Sequence, residues 1–273
     1  MLQRLPELVG DMSFSNENTA AHHLYMILQG VRDSGEDNHV AGWCSVLGVD
    51  WGNIEFARRH SEVVALLQMT IRQLDALPER SRLRCERYVG AWWTAVMQPI
   101  INWSDTARPA HGIIDEDKLD HLESTAELIS GNLVGSGAAP RSADLDEMTR
   151  QCHEWINLLT SMGEGEIFGP VRDELISQIR HLIWLIENVG LFGGARVSGE
   201  ASTVIGSLAQ AGATLVNAQP NNASRWKTAL LALIAACVVF NQASPIIQES
   251  IASGEGLIKE ISTVVDNLQE DEK

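Results

Sequence analysis

Residues 53–77 read NIEFARRHSEVVALLQMTIRQLDAL, and this stretch decides the fold class. Phe56, His60, Val63, Leu67, Thr70, Leu74 and Leu77 recur at three- and four-residue steps, the period of one face of an α-helix. Charged side chains fall largely between them, and nothing alternates with the period of two that a strand shows. Pro78 marks the turn into the next element.

The same period extends outward in both directions. Upstream, it predicts a helix from about Asn16 to Val31, opened by Ser15 as N-cap, and a short helix over His39 to Leu47, stopped by Gly48. Downstream, Glu79 to Trp103 stacks Val89, Trp92, Val96 and Ile100, with a bend expected near Pro99. Leu119, Leu122, Ala126, Ile129 and Leu133 form a fifth seam, and Leu145, Met148, Cys152, Trp155, Leu159 and Met162 a sixth. A seventh helix is expected over Val171 to Val189, and a last one over about Pro245 to Gln269. The expected architecture is an all-α multi-helix bundle of about ten helices. The loop with Gly135, Gly137 and Pro140 divides an N-terminal region, 1–134, from a C-terminal region, 142–273, as two lobes or as one continuous domain.

Charge narrows the partners. Thirty-six acidic against twenty basic side chains give a net charge of −16, a field that repels nucleic acid and anionic lipid. Residues 50–108 carry eight of the basic side chains, with Arg80, Arg82, Arg84 and Arg87 close together, whereas 110–177 carries fourteen acidic and four basic. No aromatic-rich groove motif accompanies the arginines, so nucleic acid is not the expected partner. Cys44, Cys85, Cys152 and Cys237 are too scattered for a zinc knuckle or a disulfide framework. Arg4, Glu7 and Asp11 interrupt the first twelve residues, which read as no secretory signal and point to the cytoplasm.

Past Gly190 the composition shifts to Gly, Ala, Ser and Thr, with no charged side chain between Glu200 and Arg225 or between Lys227 and Glu249. A small-residue helix is expected over Ala201 to Val216, with Ser198, Ser202 and Gly206 forming a stripe for close approach, beside a second stripe of Ala201, Ile205, Ala209 and Ala213. A polar turn over Asn217 to Ser224 then leads into twelve apolar residues, Ala229 to Phe240. The hairpin within 201–248, with Gly206, Gly212, Leu230, Leu233, Val238 and Phe240, reads first as a core element, because a run of about 10–14 apolar residues suits a buried helix better than a membrane span. Its second reading is a hairpin that inserts into a bilayer when triggered.

Catalytic chemistry is sparse. The two Glu-x-x-His helices that a di-iron bundle needs do not occur, nor does a phosphate-binding loop or a nucleophile elbow, Asp117 and His121 stand four apart as an exposed polar pair, and neither metal nor cofactor is expected. Arg32 and His39, with six residues between them, resemble the Arg-x(4–6)-His motif of the all-α HEPN ribonucleases over those eight residues alone. The resemblance implies that Arg32 steadies a scissile phosphate and His39 acts as general acid or base.

Eight tryptophans against two tyrosines are the remaining peculiarity. Trp92 and Trp93 are neighbours, so one helix cannot bury both against one partner, and one of the two is left for a second lobe, a protomer or another protein. The leading expectation is therefore a non-enzymatic helical interaction or regulatory protein, acting on a protein partner or on itself through Trp92, Trp93, Arg80, Arg82, Arg84 and Arg87. Membrane insertion comes second and ribonuclease activity third. A helical body with an uncharged Gly/Ala-rich hairpin is also similar in outline to bacterial effectors and phage-defence accessory proteins.

Overall fold

The computed structural model describes residues 19–99, 101–132, 142–213 and 220–240, the side chains of 142, 143, 213, 220–223 and 238–240 excepted. Every regular element among the described residues is helical, and there are nine α-helices. The helix expected over Pro245 to Gln269 lies outside the described residues, as do Ser15, Leu133, and the Gly135, Gly137, Pro140 loop.

Local caps set most of the boundaries. α1, Ala20–Asp33, opens on Thr19, whose hydroxyl accepts from the His22 N–H at 3.1 Å. α2, His39–Leu47, opens on Asn38, whose side chain accepts from Ala41 at 2.9 Å, and closes on Gly48 at φ 65°. α3, Ile54–Asp75, is capped by Asn53. α4, Glu79–Met97, ends where a bend was expected: Gln98 takes φ 37° and the chain leaves the helix at Pro99. A residue before proline is disfavoured in the helical region and proline has no N–H to offer the next turn, so the helix stops instead of bending on to Trp103. Trp103 lies in the following turn, its indole N–H donating back to the Gln98 carbonyl at 3.2 Å.

The remaining helices are α5, Glu116–Asn132; α6, Ser142–Ser161; α7, Gly169–Glu187; α8, Val189–Ala213; and α9, Pro220–Phe240. Two differ from expectation. α8 begins at Val189 and runs through a break at Gly193, because Phe192 and Val197 are wholly buried and tertiary packing outweighs the weak helical preference of the Gly-rich stretch. α9 begins at Pro220, nine residues ahead of the apolar run, with proline at the helix start, where its missing N–H costs nothing.

Helices α1, α3, α4 and α5 pack in a ring, with α2 against α1 and α3; α6, α7, α8 and α9 pack in a second ring. α8 joins the two by lying against α1 and α3. The predicted seams face inward: Val63, Leu67 and Leu74 of α3, Leu119, Leu122 and Ile129 of α5, Met148, Cys152, Trp155 and Leu159 of α6, and Leu175, Ile179 and Leu182 of α7 are all buried in one continuous apolar cluster.

In the expected hairpin, Leu230, Leu233 and Cys237 are buried, and α9 packs on α6 as well as on α8. Of α8's two stripes, Ala201, Ile205 and Ala209 supply the close contact. Gly206 does not: it is exposed, and a Cβ there would meet nothing within 4 Å. Gly206→Ala is accordingly expected to stabilise the fold by roughly 0.5–1 kcal/mol, since it removes backbone freedom from the unfolded chain without a clash. A denaturant midpoint that falls in this variant would show that Gly206 is a packing position after all.

Candidate interaction surface

α4 packs chiefly against α3 and α5, and its other side is exposed at Leu83, Arg84, Arg87, Gly90 and Trp93. Its inner side is anchored by Trp92, which is wholly buried and donates its indole N–H to the Lys118 carbonyl at 2.9 Å. Trp93, one residue on, is 44% exposed, together with Leu83 at 48% and Met97 at 38%. The adjacency in sequence thus resolves into one anchor and one outward-facing indole.

Basic residues border this apolar line. Arg82 turns toward α3, 4.0 Å from Asp75, and pairs with Glu86 at 3.3 Å. Arg80, Arg84 and Arg87 are exposed and form no ion pair or hydrogen bond among the described residues. Arg72 and Arg180 are likewise exposed and unpaired among the described residues, but Arg80, Arg84 and Arg87 lie together within two turns of one helix.

The other candidate residues lie elsewhere and do not converge with this face. Arg32 donates to the Ile114 carbonyl at 2.6 Å, to the His111 carbonyl at 3.1 Å, and to Glu116 at 2.6 Å, fastening α1 to the start of α5. His39 has no exposed surface, and its Nε2 accepts the Trp43 indole N–H at 2.9 Å. Burial, aided by the neighbouring His60, pulls its imidazole down to about 4. An imidazole without access to solvent cannot reach a phosphodiester, so the geometry lends the ribonuclease resemblance no support. His121 stacks on Tyr88 with ring centroids 3.7 Å apart, and no group of three His, Cys, Asp or Glu side chains among the described residues is placed to hold a metal. Burial pushes the Cys152 thiol up to about 12, so it is a core side chain with no thiolate to offer. Of the hairpin residues, Gly212 is buried, and Val238 and Phe240 fall outside the described side chains. Among the described residues no helix is long and apolar enough to cross a membrane.

Two assemblies escaped the sequence reading. In the first, Arg196 of α8 donates to Glu62 of α3 at 2.6 Å and to Glu200 at 2.9 Å, with His181 of α7 at 3.2 Å from the same Glu62. Burial alone would raise the Glu62 carboxyl, but the hydrogen bonds from His181 and Arg196 and the charge of Arg196 outweigh it and hold the group below the usual range. These ends satisfy one another, which makes the cluster a tie between helices and leaves no group free for a substrate.

The second is aromatic. His39, Trp43, His60 and Trp103 meet with centroid separations of 4.9 to 6.4 Å, and Trp51 and Phe56 extend the cluster. Six tryptophans are at least partly buried, and Trp51 and Trp93 are exposed. No protein family, curated protein or solved structure matches this chain, so the geometry of α4 carries the functional argument by itself.

Proposed function

We propose that the protein is a non-enzymatic helical interaction protein that presents the outer face of α4 to a protein partner. The observation that carries this reading is the exposure of Trp93, Leu83 and Met97 beside the unpaired Arg80, Arg84 and Arg87. Trp and Arg are the side chains most enriched among the few that dominate binding energy, and both occur here on one rigid helix already anchored from behind by Trp92. The buried carboxylate Glu62, by contrast, is engaged by Arg196 and His181 across helices, and the buried His39 by Trp43 of its own helix, which suits a scaffold better than a reaction centre.

Trp93→Ala removes the central apolar contact while leaving Trp92 in place. A protein recovered in equimolar amount with the native chain should be lost with this variant, through a weakening of roughly tenfold to a hundredfold, while the helical circular dichroism stays unchanged. Equal recovery with both chains would end the claim for this face.

A further inference from the structure

We infer that the α4–α5 face is self-complementary and that its occupant is a second copy of this chain, related by a two-fold axis running parallel to the two helices. The inference rests on the proposed function in taking α4 as the docking helix, and it adds the identity of the partner.

The register comes from contacts within one chain. Tyr88 stacks on His121, and Trp92 donates to Lys118, so α4 and α5 run antiparallel with position 88 level with 121 and position 92 level with 118. By the same count, Arg87 stands level with Glu123, and Arg84 within two residues of Glu127. Leu83, 48% exposed, comes within two residues of Leu128, 40% exposed.

Inside one chain these levels are not bridged. The groove between the helices is filled by Tyr88, His121 and the Lys118 amine, 5.7 Å from the Tyr88 ring, and the arginines stand on the far side of it without a carboxylate. A two-fold axis parallel to the helices carries α4 of the second copy across onto α5 of the first. It changes no height along the axis, so every level match within a chain becomes a match between chains.

Glu123 is held by a hydrogen bond to Tyr25 of α1, so Arg87 of one copy then faces Asp120, one turn along α5 of the other, Arg84 faces Glu127, and Leu83 meets Leu128, each contact occurring twice. Opposite charges across an interface give it orientation and partner choice, and exposed pairs of this kind weaken with salt.

The test measures mass in solution by light scattering and sedimentation across a concentration series, in about 50 mM and about 500 mM salt. The native chain should sediment at twice the chain mass at low salt and dissociate, with a dissociation constant raised at least about tenfold, at high salt. Arg84→Glu combined with Arg87→Glu should be a monomer with unchanged helicity. Adding Asp120→Arg and Glu127→Arg, both exposed positions, should restore the dimer.

A native chain that remains a monomer at all concentrations overturns the inference, and so does a dimer indifferent to the double reversal. A monomer whose separate equimolar partner is still lost with Trp93→Ala would leave the interaction reading standing and remove only the second copy as occupant.

Discussion

Gly193→Ala should lower the stability of the fold by about 3–5 kcal/mol, the largest effect expected of any single methyl group added to this chain. Gly193 sits at φ 78° and ψ 163°, in a region of backbone space that glycine alone occupies without strain. A Cβ built there would lie 2.1 Å from Cδ2 and 2.3 Å from Nε2 of His23, so strain and overlap act together. The ring cannot step aside cheaply, because His23 is largely buried and hydrogen-bonded to the backbone of Leu191. Gly190, three residues earlier in the same helix, supplies the comparison: nothing lies within 4 Å of its Cβ position, and alanine there should stabilise slightly, as at Gly206. Denaturant unfolding of both variants reads the difference, and equal midpoints would mean that α8 does not break at Gly193.

Acid should weaken the fold before most of its carboxylates are protonated. Burial holds His39 at about 4, with His60 adding to the effect, and burial with a contribution from His22 holds His23 at about 4 against the opposing pull of the Leu191 hydrogen bond. His60, hydrogen-bonded to the Val96 carbonyl at 3.1 Å, is also lowered by burial. At pH 5 these imidazoles are neutral in the fold, whereas in the unfolded chain, at the ordinary value of 6.5, they are protonated. The unfolded state therefore binds more protons, and stability falls as pH drops from 6.5 toward 4, then levels off below 4 for these groups.

Each strongly lowered imidazole removes about 1.4 kcal/mol for each pH unit in that window, so His23 and His39 together should cost about 4 kcal/mol between pH 7 and pH 5. Glu62 acts in the same direction only at lower pH, since a carboxyl held below its usual range loses its contribution as pH falls through the folded value. His39→Gln should shallow the slope between pH 6.5 and 4, and a native chain equally stable at pH 7 and pH 5 would refute the account.

The all-helical class was legible because it rests on local period, and the seams of α3, α5, α6 and α7 turn inward as the spacing requires. The bounds of α2 agree to the residue, since Asn38 and Gly48 act on their immediate neighbours and need no partner elsewhere in the chain. Boundaries set by less obvious chemistry were misplaced. The stop at Gln98 follows from Pro99, and the start at Pro220 from the tolerance of proline in a first turn; both signals were present in the sequence and were overshadowed by the apolar pattern.

Of the surface, the opposite fates of Trp92 and Trp93 could be anticipated from adjacency, and the seam through Val89, Trp92 and Val96 already placed Trp92 inward. The tie between Glu62 and Arg196 spans 134 positions, and the close approach of Gly193 to His23 joins α8 to α1; no spacing rule reaches that far. The stripe through Ser198, Ser202 and Gly206 misled for a related reason: small residues permit close approach, and only the neighbouring helix decides on which side it occurs.

The arrangement of indoles also makes the molecule its own optical probe. Trp43, bonded to His39 and edge-on to His60 at 4.9 Å, should dim when either imidazole gains a proton, because a charged imidazolium quenches a neighbouring indole. Trp51 and Trp93, bathed in water at 59% and 44% exposure, should emit toward the red, and a partner covering Trp93 should draw part of that emission back toward the blue. Disturbance of the interior then registers as a change in brightness, and occupancy of the surface as a change in colour.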